Sequence, residues 1–203
     1  MKRRFGTAVF GFLAVAVVCA SAPAARLVGR GTIGWLVKRE PVGQPVPHQL
    51  LQGQTGKVTF LYERLITFDA ATGLKMVVSM RQGTEPFGTP DPLPKERAPA
   101  GSSWICFSAW SPHNAGTSCQ LTSRLFTSGR PLMWGVGGIA GDMSMHGLAS
   151  DGVTRVTVTL ASGGSVDVPL RDNAFLFRIP AADHVTSITA YGRGGKILER
   201  KPV

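Results

Sequence analysis

The chain has 203 residues, of which 43% are hydrophobic and 17% charged, with a formal net charge of +10. This balance excludes wholesale disorder and leaves room for one domain or two small ones. Twenty-five glycines and fourteen prolines favour many turns and short strands over long helices.

Residues 1–24 read as a signal peptide. Lys2, Arg3 and Arg4 precede an apolar run from Ala8 to Ala20, and Ala22-Pro23-Ala24 offers an A-x-A site, with cleavage expected after Ala24. The rival is an uncleaved membrane anchor, for which the thirteen-residue apolar run is short of the ~20 residues that a spanning helix needs. Val18 stands before Cys19 where lipidation signals carry a small residue, which argues against a lipoprotein. The expected location is secreted or on the exterior of the cell envelope. Loss of Lys2, Arg3 and Arg4 takes the formal charge from +10 to +7. Such a surplus favours an anionic envelope polymer, a glycan or an envelope protein as partner, unless it serves solubility alone. Without a clustered basic stripe, nucleic acid is not expected, and a membrane is a partner only if the N-terminal segment is retained.

Residues 25–57 form a basic arm interrupted by Pro41, Pro45 and Pro47, with one apolar island around Trp35 that is able to dock on the body. Residues 58–145 are expected to form an N-terminal β unit. It opens with a hairpin: Val58–Phe68 and Leu74–Met80 flank the turn residues Asp69 to Gly73. Gln82 to Ser103 is a long proline-containing loop without legible chemistry. Trp104–Trp110 is apolar on both faces, Ile105, Phe107 and Ala109 on one and Trp104 and Cys106 on the other, which predicts a covered central strand. Cys119–Phe126 is its expected partner.

Once Cys19 is lost, Cys106 and Cys119 remain, and in an exported chain they are expected to form a disulfide. The closed loop would contribute roughly 3 kcal/mol in the chain-entropy description. A zinc site drawing in His113 competes with it, but the cysteine spacing is wide and a fourth ligand is not evident.

Residues 146–203 are expected to form a C-terminal β module. Val156, Val158 and Leu160 alternate with Thr157 and Thr159; Val166, Val168 and Leu170 repeat the pattern, as do Phe175, Phe177 and Ile179. At about 57 residues without a cysteine the module is marginal alone, so it is expected to pack on the unit before it. Gly147, Ala149, Ser150, Asp151, Gly152 and Val153, the following Val/Thr strand, Asn173-Ala174-Phe175 and Ile188–Tyr191 resemble bacterial Ig-like β-sandwich modules. The same stretch is similar to the C-terminal part of secreted actinobacterial proteins without an assigned activity. It departs from them after Tyr191, where Gly192 replaces their aspartate. The resemblance implies a β-sandwich and carries over no catalytic residue.

The sequence offers no catalytic, cofactor-binding or metal-binding set. Gly135-x-Gly137-x-x-Ala140 matches a dinucleotide fingerprint formally, yet it lacks the following helix and the acid about 20 residues on, so a turn is expected there. His48, His113, His146 and His184 are scattered, no serine lies in a G-x-S-x-G elbow, and Asp167, Asp172 and Asp183 suit turns as well as paired acids. Trp104, Trp110 and Trp134 would serve either as an aromatic platform or as core, Trp110 being the one expected to be exposed. The sequence thus points to an all-β, sandwich-like, non-enzymatic envelope protein with a binding or structural role. The alternatives are an extracellular hydrolase with dispersed residues and a membrane-anchored interaction domain.

Overall fold

A computed structural model describes residues 33–47, 59–84, 98–111, 114–126, 130–139 and 142–203. The expected signal peptide, His48, His113 and most of the proline-containing loop lie outside them. The described residues form an all-β, sandwich-like fold of three four-stranded antiparallel sheets.

The first sheet is a meander of β1 (Thr59–Asp69), β2 (Leu74–Gln82), β3 (Ser103–Ser111) and β4 (Asn114–Leu121), paired in that order. Its first hairpin forms because Asp69 organises the turn: its carboxylate accepts from the Ala71 amide at 2.9 Å and the Thr72 hydroxyl at 2.7 Å, and Gly73 takes a left-handed φ of 68°. These bonds, that of Thr72 first, hold the Asp69 pKa below its ordinary value. The partner of Trp104–Trp110 is β4, so it begins earlier than expected. Thr122–Arg124, inside the expected strand, form a 3-10 turn. Cys106 and Cys119 are directly opposed in this register and joined as a disulfide. The bridge therefore spans a hairpin rather than a loose loop, and it fixes the pairing register.

The middle sheet has the order β5 (Leu132–Ile139), β6 (Asp142–Ala149), β10 (Ala174–Arg178), β9 (Leu170–Arg171). The third has β12 (Ile197–Pro202), β11 (Val185–Tyr191), β7 (Arg155–Leu160) and β8 (Ser165–Val168). The expected continuous alternation through Leu170 is broken at Pro169. With no amide hydrogen to give a ladder, that residue separates β8 in the third sheet from β9 in the middle one. The position between residues 145 and 146, where the sequence suggested two units meet, falls inside β6, and β6 pairs with β10 from Ser144 to Leu148.

Two cores lie on the two faces of the middle sheet. Met133, Leu148, Ala174 and Leu176 join Ile66, Met76, Val78, Ile105 and Phe107 of the first sheet. Leu132, Met145, Ala149 and Phe175 join Val156, Val158, Val185 and Ile188 of the third. Period-2 alternation sends neighbouring residues of β10 into different cores, which is why Ala174-Phe175-Leu176 is buried throughout.

The N-terminal segment belongs to the first of these cores and is not a free spacer. Helix α1 (Gly34–Lys38) carries Trp35 and Leu36 into it beside Ile33, and Arg39 ends the helix in a left-handed conformation, φ 56°. Gln44 then makes a two-way backbone bridge to Leu65. The residues of the Ig-like resemblance receive this segment: Asp151 accepts from the Gly34 amide at 2.9 Å, and Asn173 Oδ1 accepts from Trp35 Nε1 at 2.8 Å. Asn173 Nδ2 donates back to the Ala149 carbonyl and to Asp151. Asn173 has φ 60°, a conformation asparagine tolerates better than most residues.

Candidate functional site: a basic cleft at the sheet edges

The most reactive-looking residues sit on one face of β6. Asp142, Ser144 and His146 are spaced by two and so point together toward the first sheet. Asp142 is tied up: Oδ1 lies 2.9 Å from Arg178 Nε, and Oδ2 accepts from the Ser111 hydroxyl at 2.8 Å. Ser144 Oγ is 3.5 Å from His146 Nδ1 and 3.4 Å from the Gly137 carbonyl. His146 is 1% exposed, its ring meets Phe107 edge-on at 5.6 Å, and burial pushes its pKa down to about 4.

This array is not a catalytic triad. The serine faces Nδ1, the nitrogen that an orienting carboxylate would occupy, and Asp142 is engaged elsewhere. A base must also reach a substrate, and this imidazole is sealed between sheets. The adjoining cavity, at Trp110, Ser111, Asp142 and Ser144, measures about 10 Å³, room for no more than one water. The imidazole instead lies beside Gly116 and Gly137, where a Cβ would stand at ordinary contact distance. A Cβ on Gly116 or Gly137 would stand 3.4 or 3.6 Å from His146 Cε1, and one on Gly135 would collide with Ser118. Gly135 and Gly137 are thus strand residues that let β5 approach β4, where the sequence suggested a turn.

The roomier feature is a cleft of about 250 Å³ where β4 with its 3-10 turn, β5 and β12 come together. Arg124, Arg130 and Lys201 supply three cations to its lining, Glu199 one carboxylate and Trp134 a half-buried indole. Glu199 and Lys201 alternate on edge strand β12 opposite the buried Ala190 and Ile188, so both point inward toward the middle sheet. Lys201 Nζ lies 5.4 Å over the Trp134 ring, and Glu199 Oε2 accepts from the Leu132 amide at 3.3 Å. Burial raises the Glu199 pKa, against the opposing effects of that amide and of Lys201 and Arg130.

Of the residues singled out in the sequence, Trp134 is in the cleft. Trp104 is 4% exposed and donates Nε1 to the Gly83 carbonyl at 3.0 Å. Trp110 is half-buried, and its Nε1 is enclosed without a hydrogen-bond partner among the described residues, as is His146 Nε2. The three aspartates are engaged separately: Asp167 by Thr157 and Arg155, Asp183 by Ser162 and the His184 amide, and Asp172 at a left-handed turn. Arg124, Arg130, Glu199 and Lys201 escaped the sequence reading, because they lie as much as 77 positions apart and gather only where the sheet edges meet. The one local signal is the i, i+2 spacing of Glu199 and Lys201 on a strand.

Among the described residues no helix is long and apolar enough to cross a membrane, and no group of three His, Cys, Asp or Glu side chains is placed to hold a metal. The chain matches no protein-family profile, no curated protein and no solved structure.

Proposed function

We propose that this is an exported, non-enzymatic binding protein of the cell envelope that holds an anionic envelope component in the cleft between β4, β5 and β12. The observation that carries the reading is the convergence of Arg124, Arg130 and Lys201 on one polar concavity with an aromatic wall. The targeting character of residues 1–24, the positive surplus of the remaining chain and the resemblance of its last quarter to secreted Ig-like modules support the same reading. The depressed His146 pKa suits packing rather than acid–base work, because the ring has no route to a substrate.

Co-sedimentation of the purified chain with envelope fractions, repeated across a salt series, tests the proposal. Binding that weakens as salt rises is expected of contacts made by exposed cations. Absence of binding to every fraction, or turnover of ester, peptide or glycoside substrates that a point substitution abolishes, would overturn it.

A further inference from the structure

The geometry points to a sugar ring bearing an acidic substituent as the ligand of the β4–β5–β12 cleft, an inference that rests on the envelope-binding reading above. At about 250 Å³ the space is smaller than the roughly 300 Å³ at which drug-sized pockets begin, so it takes one ring and not a long chain segment. Trp134 offers a flat apolar surface for the C–H face of a ring. Lys201, exposed and carried on a long stem, is able to leave its position over the indole for the acid group. Arg130, also exposed, supplies a planar fork that matches carboxylate or phosphate. Glu199 gives the cleft what a site for bare anions would exclude: a carboxylate pointing inward among the cations, held by the Leu132 amide, with a second oxygen able to accept from ring hydroxyls. Cations select the acid, the indole selects the ring and Glu199 rejects an anion that arrives without hydroxyls. The inward charges of β12 would also discourage edge-to-edge pairing of this strand, so the test must separate ligand binding from that role.

The test is calorimetric titration of the full chain with trigalacturonate and glucose 6-phosphate, which present the ring with a carboxylate or a phosphate, against maltotriose and inorganic phosphate as ring-only and charge-only controls. At least one acidic sugar is expected to bind tenfold or more tightly than both controls, and which one binds identifies the acid. Arg130→Gln combined with Lys201→Gln is expected to weaken that binding at least tenfold while the fold is retained, since both side chains are exposed. Trp134→Leu should weaken trigalacturonate or glucose 6-phosphate while leaving the weak binding of inorganic phosphate unaltered. Equal binding of inorganic phosphate and the acidic sugars, equal binding of maltotriose, or no binding of either acidic sugar would overturn the inference. So would a double variant that self-associates yet keeps its affinity, since the charges would then serve only to protect the edge. Envelope binding that survives the double variant would overturn the ligand assignment alone. Acidic-sugar binding without any envelope binding would overturn only the wider reading.

Discussion

The two faces of the middle sheet are buried by different means. Toward the third sheet the centre of the contact is aliphatic and aromatic, Phe175, Met145 and Leu132 against Val156, Val158, Val185 and Ile188, with Glu199 and Lys201 only at its edge. Toward the first sheet an apolar centre is combined with a buried histidine, a glycine crossing and an N-terminal segment held by the Asp151–Asn173 bonds, while the disulfide lies with Trp104 on the outer face of that sheet. A uniform apolar interface needs only side chains of the right period and size. A mixed interface has each polar group to satisfy, and its stability depends on particular bonds and on pH.

The largest effect is expected in the uniform interface. Phe175→Ala empties a fully buried ring position and should cost about 3–5 kcal/mol by urea unfolding. A cost under about 1 kcal/mol would mean that the third sheet does not depend on this contact. Gly147→Ala probes the same place by overpacking, since its Cβ would fall within 3 Å of the Met133 carbonyl and the Phe175 ring. About 1–3 kcal/mol of destabilisation is expected for it.

A pH dependence is expected of the other interface. His146 is held neutral in the fold with a pKa of about 4, whereas the exposed imidazole of an unfolded chain titrates near 6.5. The unfolded state therefore binds the extra proton first as pH falls. The stability that neutral His146 contributes is complete above about pH 6.5, declines down to about pH 4 and amounts to roughly 3 kcal/mol over that window. Urea midpoints across pH should show this slope, and His146→Leu should remove most of it. A slope that persists in the variant would assign the titration elsewhere.

Replacing Cys106 and Cys119 with alanine together should cost about 3 kcal/mol, because the unfolded chain is then free of the loop the bridge closes. Thermal unfolding with and without reductant measures it, and the double variant should be insensitive to reductant. Asn173→Gly keeps the left-handed backbone accessible while deleting the bonds to Trp35 and Ala149, so it should cost about 1–2 kcal/mol. Faster proteolysis in residues 33–47 of that variant would locate the loss in the mixed interface.

The uniform interface was also the more legible one. Val156, Val158 and Leu160 spell out their buried face at period two, and Phe175 with Ile179 does the same. The mixed interface was legible only in part. WICFSAW announced two covered faces, the outer of which carries the cysteine bridge. His146 looked like any lone histidine, because its setting depends on Phe107, Gly116 and Gly137 arriving from three other strands. The β5 glycines suggested a turn since local propensity registers only their backbone freedom, and their actual use is the lack of a side chain where two strands cross.

By itself, then, the sequence determined strand-rich local structure, the first hairpin and the pairing of Cys106 with Cys119, all of which follow from alternation, turn chemistry and cysteine count. Only the tertiary structure decided that β9 and β10 leave the third sheet for the middle one, that Trp35 belongs to the core, and that Arg124, Arg130, Glu199 and Lys201 share a cleft with Trp134. The physical reason is range. Period and propensity act over a few residues, whereas a layered sandwich brings together side chains whose meeting is set by which sheet each strand joins and which edges align.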